Sequence, residues 1–294
     1  MSPSVFSGHR GAVYALCAEA DGCFLSGGGD GLVVRWMVHH PDAGELLADV
    51  KAAVFALAVS PDLRMLYIGD EHGGLHAIDR AARKEIQLER SHRKGIFRLT
   101  LLNDGRLLSC GGDGVLSVWM QEANGALHAL RQIPLSEGKL RDLAVSPDGA
   151  WIAIACADGH VRVLDTADLN ERFTLPAAVE GASCVAWHPS KPVLLAGGKD
   201  GQLRFWHSGE GFRPLRELAA HSGTIYAIAF SPDGTRCATA GRDKTAKLWE
   251  ANTFDPQLRQ DRSKGGHTHS VNALLWSGAT LITAGDDKRI LAWR

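Results

Sequence analysis

The sequence is poor in cysteine, methionine and tyrosine (6, 4 and 3 of 294 residues), and neither sign of charge is in excess. The cysteines, Cys17, Cys23, Cys110, Cys156, Cys184 and Cys237, are dispersed without a CxxC pair or zinc-type spacing. That argues against a disulfide framework or a zinc module. Most lie inside apolar runs, where a thiol behaves as a small hydrophobe; Cys23 stands apart beside a turn. Lys+Arg (32) and Asp+Glu (33) leave a net charge of −1, which argues against binding dominated by attraction to nucleic acid or anionic membrane. No apolar run approaches the roughly 18 residues of a membrane span. The opening MSPSVFSGHR lacks the apolar stretch of a secretory signal. A soluble, cytoplasmic protein is expected.

What is present is repetition. Five of the 8 Trp follow an Asp by six residues: Asp30–Trp36, Asp113–Trp119, Asp200–Trp206, Asp243–Trp249 and Asp287–Trp293. Asp158, leading to Leu164, and His72, leading to Ile78, keep the frame with substitutions. Seven units of about 42 residues therefore account for residues 1–294 as one domain, at the period of a propeller blade. Within each unit the signals are strands and turns. Val54–Val59, Leu140–Val145 and Ile225–Phe230 read as strands sandwiched on both faces. Ser-Pro-Asp stretches (Ser60–Asp62, Ser146–Gly149, Ser231–Gly234) mark one turn, and Asp-Gly pairs such as Asp30-Gly31 mark another. Lys244 and Lys288 replace the Gly of that second turn, so a different turn type is expected there. The fold class is all-β: a seven-bladed propeller of four-stranded antiparallel blades.

Four repeats add a histidine and a hydroxyl at fixed offsets before their Asp: His9 and Ser26, His92 and Ser109, His221 and Thr239, His267 and Thr283. With Gly8-His9, Gly266-His267 and the recurrent Trp, the chain resembles WD-repeat β-propellers over its full length. Repeats two, four and five lack the His, repeats two and four lack the Trp, and no Trp is followed by Asp. The resemblance implies a hydrogen-bonded tetrad in each complete repeat: His9, Ser26, Asp30, Trp36; His92, Ser109, Asp113, Trp119; His221, Thr239, Asp243, Trp249; His267, Thr283, Asp287, Trp293. It also implies that the N-terminal segment, here Pro3–Ser7, closes the ring by supplying the outer strand of the last blade.

A Ser/His/Asp set invites a hydrolase reading, but four copies with one local spacing and an attached Trp fit a structural device better than one activated nucleophile. No GxSxG elbow and no Walker loop is present. Gly27–Gly29 lies between strands, where it allows close backbone passage. His39-His40 and His267/His269 are the only local His pairs, and solvated loop histidines are the default. Arg80, Arg83 and Lys84 read as an ordinary solvated loop. No catalytic residue, metal or cofactor is expected.

The family resemblance places a partner-binding rim at two positions per repeat. The first set is Tyr14, Phe55, Phe97, Arg141, Tyr226 and Asn272, with Ser183 or a neighbour in repeat five. The second is Gly29, Glu71, Gly112, Ala157, Lys199, Arg242 and Asp286. Four aromatics with Arg141 and Arg242 have the composition of a binding hot spot, although the same rings could pack between blades. The expected role is a non-enzymatic interaction scaffold taking a protein or peptide segment, with a basic or mixed-charge side chain suiting aromatic walls near carboxylates. The alternative is a small-molecule-binding or hydrolytic propeller using the central funnel, for which Lys139, Arg141 and Asp142 make repeat four the most divergent. A monomer able to join a larger complex is expected, without nucleic-acid or membrane partners.

Overall fold

Short β-branched and aromatic runs punctuated by Gly and Pro give strands of mostly six residues in the computed structural model, which describes residues 3–19 and 22–294. These form seven four-stranded antiparallel sheets, each meandering outward from an inner strand. The inner strands are Val13–Ala18, Val54–Val59, Ile96–Leu101, Leu140–Val145, Ala182–Trp187, Ile225–Phe230 and Val271–Ser277. Each packs beside the next, and the seventh returns to the first, so the blades form a ring around a channel.

The second strands are buried along all or nearly all of their length, Cys23–Gly28 and Met65–Asp70 completely. They are the strands sandwiched on both faces. The inner strands differ from that expectation: Leu140–Val145 and Ile225–Phe230 are largely half-buried, because one side of each borders the channel. The core therefore lies between blades, as in the cluster of Phe24, Val34 and Trp36 from the first blade with Ile282 and Ile290 from the seventh.

The outer strand of the seventh blade is Ser4–Phe6, paired antiparallel with the C-terminal strand as Ser4 to Ala292, Val5 to Leu291 and Phe6 to Ile290. Phe6 is 1% exposed and packs edge-on against Phe24 and Trp36 of the first blade, at centroid distances of 5.3 and 5.6 Å. One short strand thus completes blade seven and keys it to blade one.

The Asp-Gly turns use a left-handed residue, with φ of 81° at Gly31 and at Gly114. Lys244 and Lys288 hold the same conformation, at φ 68° and 66°, so the turn type is retained despite the expected change. A Cβ at Gly114 would stand 1.8 Å from the Ser136 carbonyl oxygen, which explains the glycine there. The two lysines instead carry the ordinary cost of a left-handed side chain, about 1 kcal/mol. Lys244→Gly is accordingly expected to raise stability by roughly 0.5–1 kcal/mol, read from the urea midpoint; a lowered midpoint would contradict this.

Candidate functional site

In the complete repeats the histidine lies on the loop entering the inner strand, the hydroxyl on the second strand, the Asp in the following turn and the Trp on the third strand. Ser26 Oγ stands 2.8 Å from Trp36 Nε1 and 2.7 Å from His9 Nε2, and His9 Nδ1 is 3.0 Å from Asp30. Matching distances are 3.1, 2.9 and 3.0 Å in blade three, 2.9, 2.8 and 3.0 Å in blade six, and 3.1, 2.8 and 2.8 Å in blade seven. With neutral imidazoles, the indole N–H donates to the hydroxyl, the hydroxyl to Nε2, and Nδ1–H to the carboxylate. The next amide also donates to the Asp, as Arg10 N does to Asp30 at 2.7 Å. Burial works against ionisation of Asp30, but these donors outweigh it and hold the carboxyl below its usual range. All four hydroxyl residues are 0% exposed.

The incomplete repeats replace the tetrad with a basic side chain bridging two carboxylates. In blade four Arg162 lies 2.8 Å from Asp158 and 3.6 Å from Glu171. In blade five Arg204 lies 2.7 Å from Asp200 and 3.1 Å from Glu217. Blade two does the same with His76, 3.1 Å from Asp70 and 2.5 Å from Glu85. His72, at the Asp position of the repeat frame, is exposed, and Asp70 two residues earlier supplies the carboxylate. Asp70 stands where other blades have Gly28 or Gly111, and a Cβ there would lie 2.7 or 2.1 Å from the tetrad His Nδ1. The Asp70 side chain and a tetrad histidine thus compete for one space. A signal was present in the sequence: four residues after the repeat anchor stand His76, Arg162 and Arg204 in these repeats, but Val34, Ser117 and Leu291 in three of the complete ones.

Every inner strand carries a register shift next to its first residue, between Val13 and Ala15, Val54 and Ala56, and equivalently around the ring. The skipped residues are Tyr14, Phe55, Phe97, Arg141, Ser183, Tyr226 and Asn272. Leaving one residue out of the ladder re-aims its side chain, here toward the mouth of the channel. The member from repeat five is Ser183, whose Oγ donates to the Ile225 carbonyl at 2.6 Å. All seven, with Lys199, Arg242 and Asp286, line a channel of about 1140 Å³. Gly29 and Gly112 lie under the rings, since a Cβ on them would meet Tyr14 and Phe97 at 3.4 and 3.0 Å. Ala157 stands at the turn of blade four, its amide bonded to the Lys139 carbonyl at 2.8 Å.

The aromatics form an arc. Tyr14 meets Phe55 edge-on at 5.1 Å, and Phe55 stacks on Phe97 at 5.5 Å with an interplanar angle of 8°. Arg141 and Lys139 then lie over Phe97 at 5.1 and 5.5 Å. Tyr14 and Tyr226 are each 37% exposed, whereas Phe55 and Phe97 are half-buried, so the rings pack on one another and still border the mouth. The carboxylates are engaged: Asn272 donates to Asp286 at 2.7 Å, and Glu71 accepts the Ala53 amide at 2.9 Å.

Deeper in the channel, Arg98 and Asp142 pair at 3.4 Å, and Asp142 also accepts the amide of Val185 in blade five at 3.0 Å. Cys17 lines the same wall; burial pushes its thiol up to about 11, leaving it protonated at neutral pH. His39 and His40 are exposed, and His39 lies 3.0 Å from an Arg294 nitrogen. Among the described residues no three His, Cys, Asp or Glu form a metal-holding group. Gly27 gives blade two a close approach, a Cβ there lying 2.4 Å from Val54. Arg80 departs from the expected solvated loop: its side chain is 13% exposed and pairs with the buried Glu19. Among the described residues no helix is long and apolar enough to cross a membrane.

The ring of bulged blades, four of them braced by tetrads, defines a repeat propeller, and the chain belongs to the WD-repeat family. The family model described as WD domain, G-beta repeat matches residues 2–36, 83–120, 130–165, 170–207, 212–250 and 259–294. Most of blade two, with its displaced Asp70, falls outside these stretches. The chain is 25% identical over 240 residues to telomerase protein component 1 of Mus musculus, covering 81% of this chain and 9% of that protein. It is 25% identical over 297 residues to echinoderm microtubule-associated protein-like 2 of Rattus norvegicus, covering 96% and 42%. It is 27% identical over 188 residues to striatin of Mus musculus, covering 58% and 24%. The chain thus spans less than half the length of each of these relatives.

Proposed function

We propose that this propeller is a non-enzymatic interaction scaffold that takes a protein or peptide segment on the upper mouth of its channel. The observation that carries this is the bulge repeated in every blade: each re-aims one side chain to the same rim, and Tyr14, Phe55, Phe97 and Arg141 form a continuous aromatic and cationic arc there. Rigid aromatics give contact area at low entropic cost, and an arginine beside them adds a planar donor fork. The Ser/Thr–His–Asp sets support a bracing role, because they recur in four blades with buried hydroxyls. The unpaired thiols of Cys17, Cys110, Cys156, Cys184 and Cys237 fit a reducing compartment, and a cytoplasmic setting belongs to the same proposal, as does a monomer that joins larger assemblies. Affinity capture should compare wild type with Phe97→Ala/Tyr226→Ala, both checked for native circular dichroism. Loss of most captured chains in the variant is expected; an undiminished set would reject the rim.

A further inference from the structure

Resting on the reading of the upper mouth as the docking face, we propose that its occupant is an acidic segment of a partner protein, its carboxylates set against Lys139, Arg141, Lys199 and Arg242.

The first support is a charge left open. Some arginines elsewhere on this molecule are answered by carboxylates, as Arg35 is by Glu19, Arg106 by Asp104, Arg172 by Asp168 and Arg204 by Asp200, while Arg10, Arg90 and Arg262 are single exposed cations in open solvent. What sets the mouth apart is that its open cations stand close together. Among the described residues, Lys94, Lys139, Arg141, Lys199 and Arg242 have neither an ion pair nor a side-chain hydrogen bond. They come from blades three to six: Arg141, Lys199 and Arg242 line the channel, and Lys139 stands in the field of Arg141, Lys94 and Lys199. Arg141 is half-buried. Burial lowers the Lys139 pKa, and the neighbouring Arg141, Lys94 and Lys199 lower it further. Like charges held together and partly desolvated cost free energy in the empty protein, and an incoming anion relieves that cost.

The second support is polarity across the mouth. Asp286 and Glu71 belong to blades seven and two, flanking Tyr14 of blade one, whose phenol pKa is raised by burial and then by these two carboxylates. Both carboxylates already accept hydrogen bonds from Asn272 and the Ala53 amide, so they offer less to a basic side chain than the open cations offer to an acidic one. A bound segment would set its acidic end over blades three to six and a neutral or basic end toward blade seven. The Phe55–Phe97 stack between these poles gives an apolar step for an intervening side chain.

The third support separates polypeptide from single-stranded nucleic acid, which also combines basic grooves with aromatics. Base stacking needs an open ring face. Phe97 is stacked on Phe55 of blade two and has the Arg141 and Lys139 cations of blade four at 5.1 and 5.5 Å from its centroid, so the exposed rings for a base are Tyr14 and Tyr226, which belong to blades one and six and not to one stacking track. The net charge of −1 adds no long-range attraction for a polyanion.

The test is selection of a displayed random peptide library on the folded full chain, followed by fluorescence anisotropy of the selected peptides. Enrichment of Asp and Glu is expected, with affinity falling as salt rises. Lys199→Glu/Arg242→Glu changes two exposed rim residues without bonded partners, and is expected to weaken those peptides about tenfold or more. Peptides without acidic enrichment that still lose binding in Phe97→Ala/Tyr226→Ala would overturn the acidic occupant while leaving the docking face intact. Peptides indifferent to Phe97→Ala/Tyr226→Ala, or a library with no binders, would remove the docking face itself. Oligothymidylate bound as tightly as the selected peptides would overturn the choice of a polypeptide.

Discussion

Removing residues 1–7 is expected to lower the thermal midpoint by roughly 10 °C or more, at about 2–4 °C per kcal/mol for a domain of this size class. Three effects combine. Ile290–Trp293 loses its partner strand and becomes an open edge, a template for association with other chains. Phe6 leaves the seam between blades seven and one, where it is fully enclosed by Phe24 and Trp36. The seam itself loses the one strand that belongs in sequence to the start of the ring and in space to its end. Phe6→Ala separates packing from pairing: it keeps the backbone strand and should cost about 3–5 kcal/mol. Scanning calorimetry of the truncated and substituted chains would check both. Wild-type melting of the truncated chain would mean that Ser4–Phe6 does not hold the ring shut.

The second large effect is expected at a tetrad. The Asp243 carboxylate accepts from the His221 ring at 3.0 Å, the Ser222 amide at 3.2 Å, the Thr245 amide at 3.2 Å and the Thr245 hydroxyl at 2.7 Å. Asp243→Ala removes the acceptor and strands these donors, so a loss of about 2–4 kcal/mol is expected from urea unfolding. An unchanged midpoint would count against the bracing role. The pH dependence has a definite sign. Burial raises the pKa of each of Asp30, Asp113, Asp243 and Asp287, but the His and amide donors outweigh it and hold all four below the usual range. The unfolded chain therefore binds protons more readily below about pH 4. The stability these groups confer is complete above that pH and is lost as the pH falls through their native values. Asp243→Asn should flatten this acid limb while changing stability at neutral pH less than Asp243→Ala. An acid limb as steep as wild type would place the titration elsewhere.

Much of the architecture was legible because it is local and repeated. Asp, Trp, His and hydroxyl recur within 28 residues of one another, so their spacing survives in one dimension. In blade two His72 keeps the frame, with Leu66 opposite Ile78 as Phe24 is opposite Trp36, but the carboxylate stands two residues earlier because Asp70 takes the space of the missing histidine. The turns at Lys244 and Lys288 looked different because composition reports the cost of a left-handed residue, not whether tertiary context imposes it. The basic residue at His76, Arg162 and Arg204 was visible in the aligned repeats, but its meaning required the outer-strand Glu85, Glu171 and Glu217 beside it.

By itself the amino-acid order determined the number of blades, their strands and turns, and the composition of the tetrads, since each is set by interactions within one repeat. Only the closed ring decided which charges meet at the mouth. Lys94, Lys139 and Lys199 are separated by 45 or more residues in the chain, and they come within one another's field because successive inner strands pack side by side around a channel. The tertiary structure also decided which carboxylates are already engaged, as Asp286 is by Asn272, and hence which charges stand unanswered. Electrostatic balance is a sum over distances in space, and the chain order contains those distances only after folding.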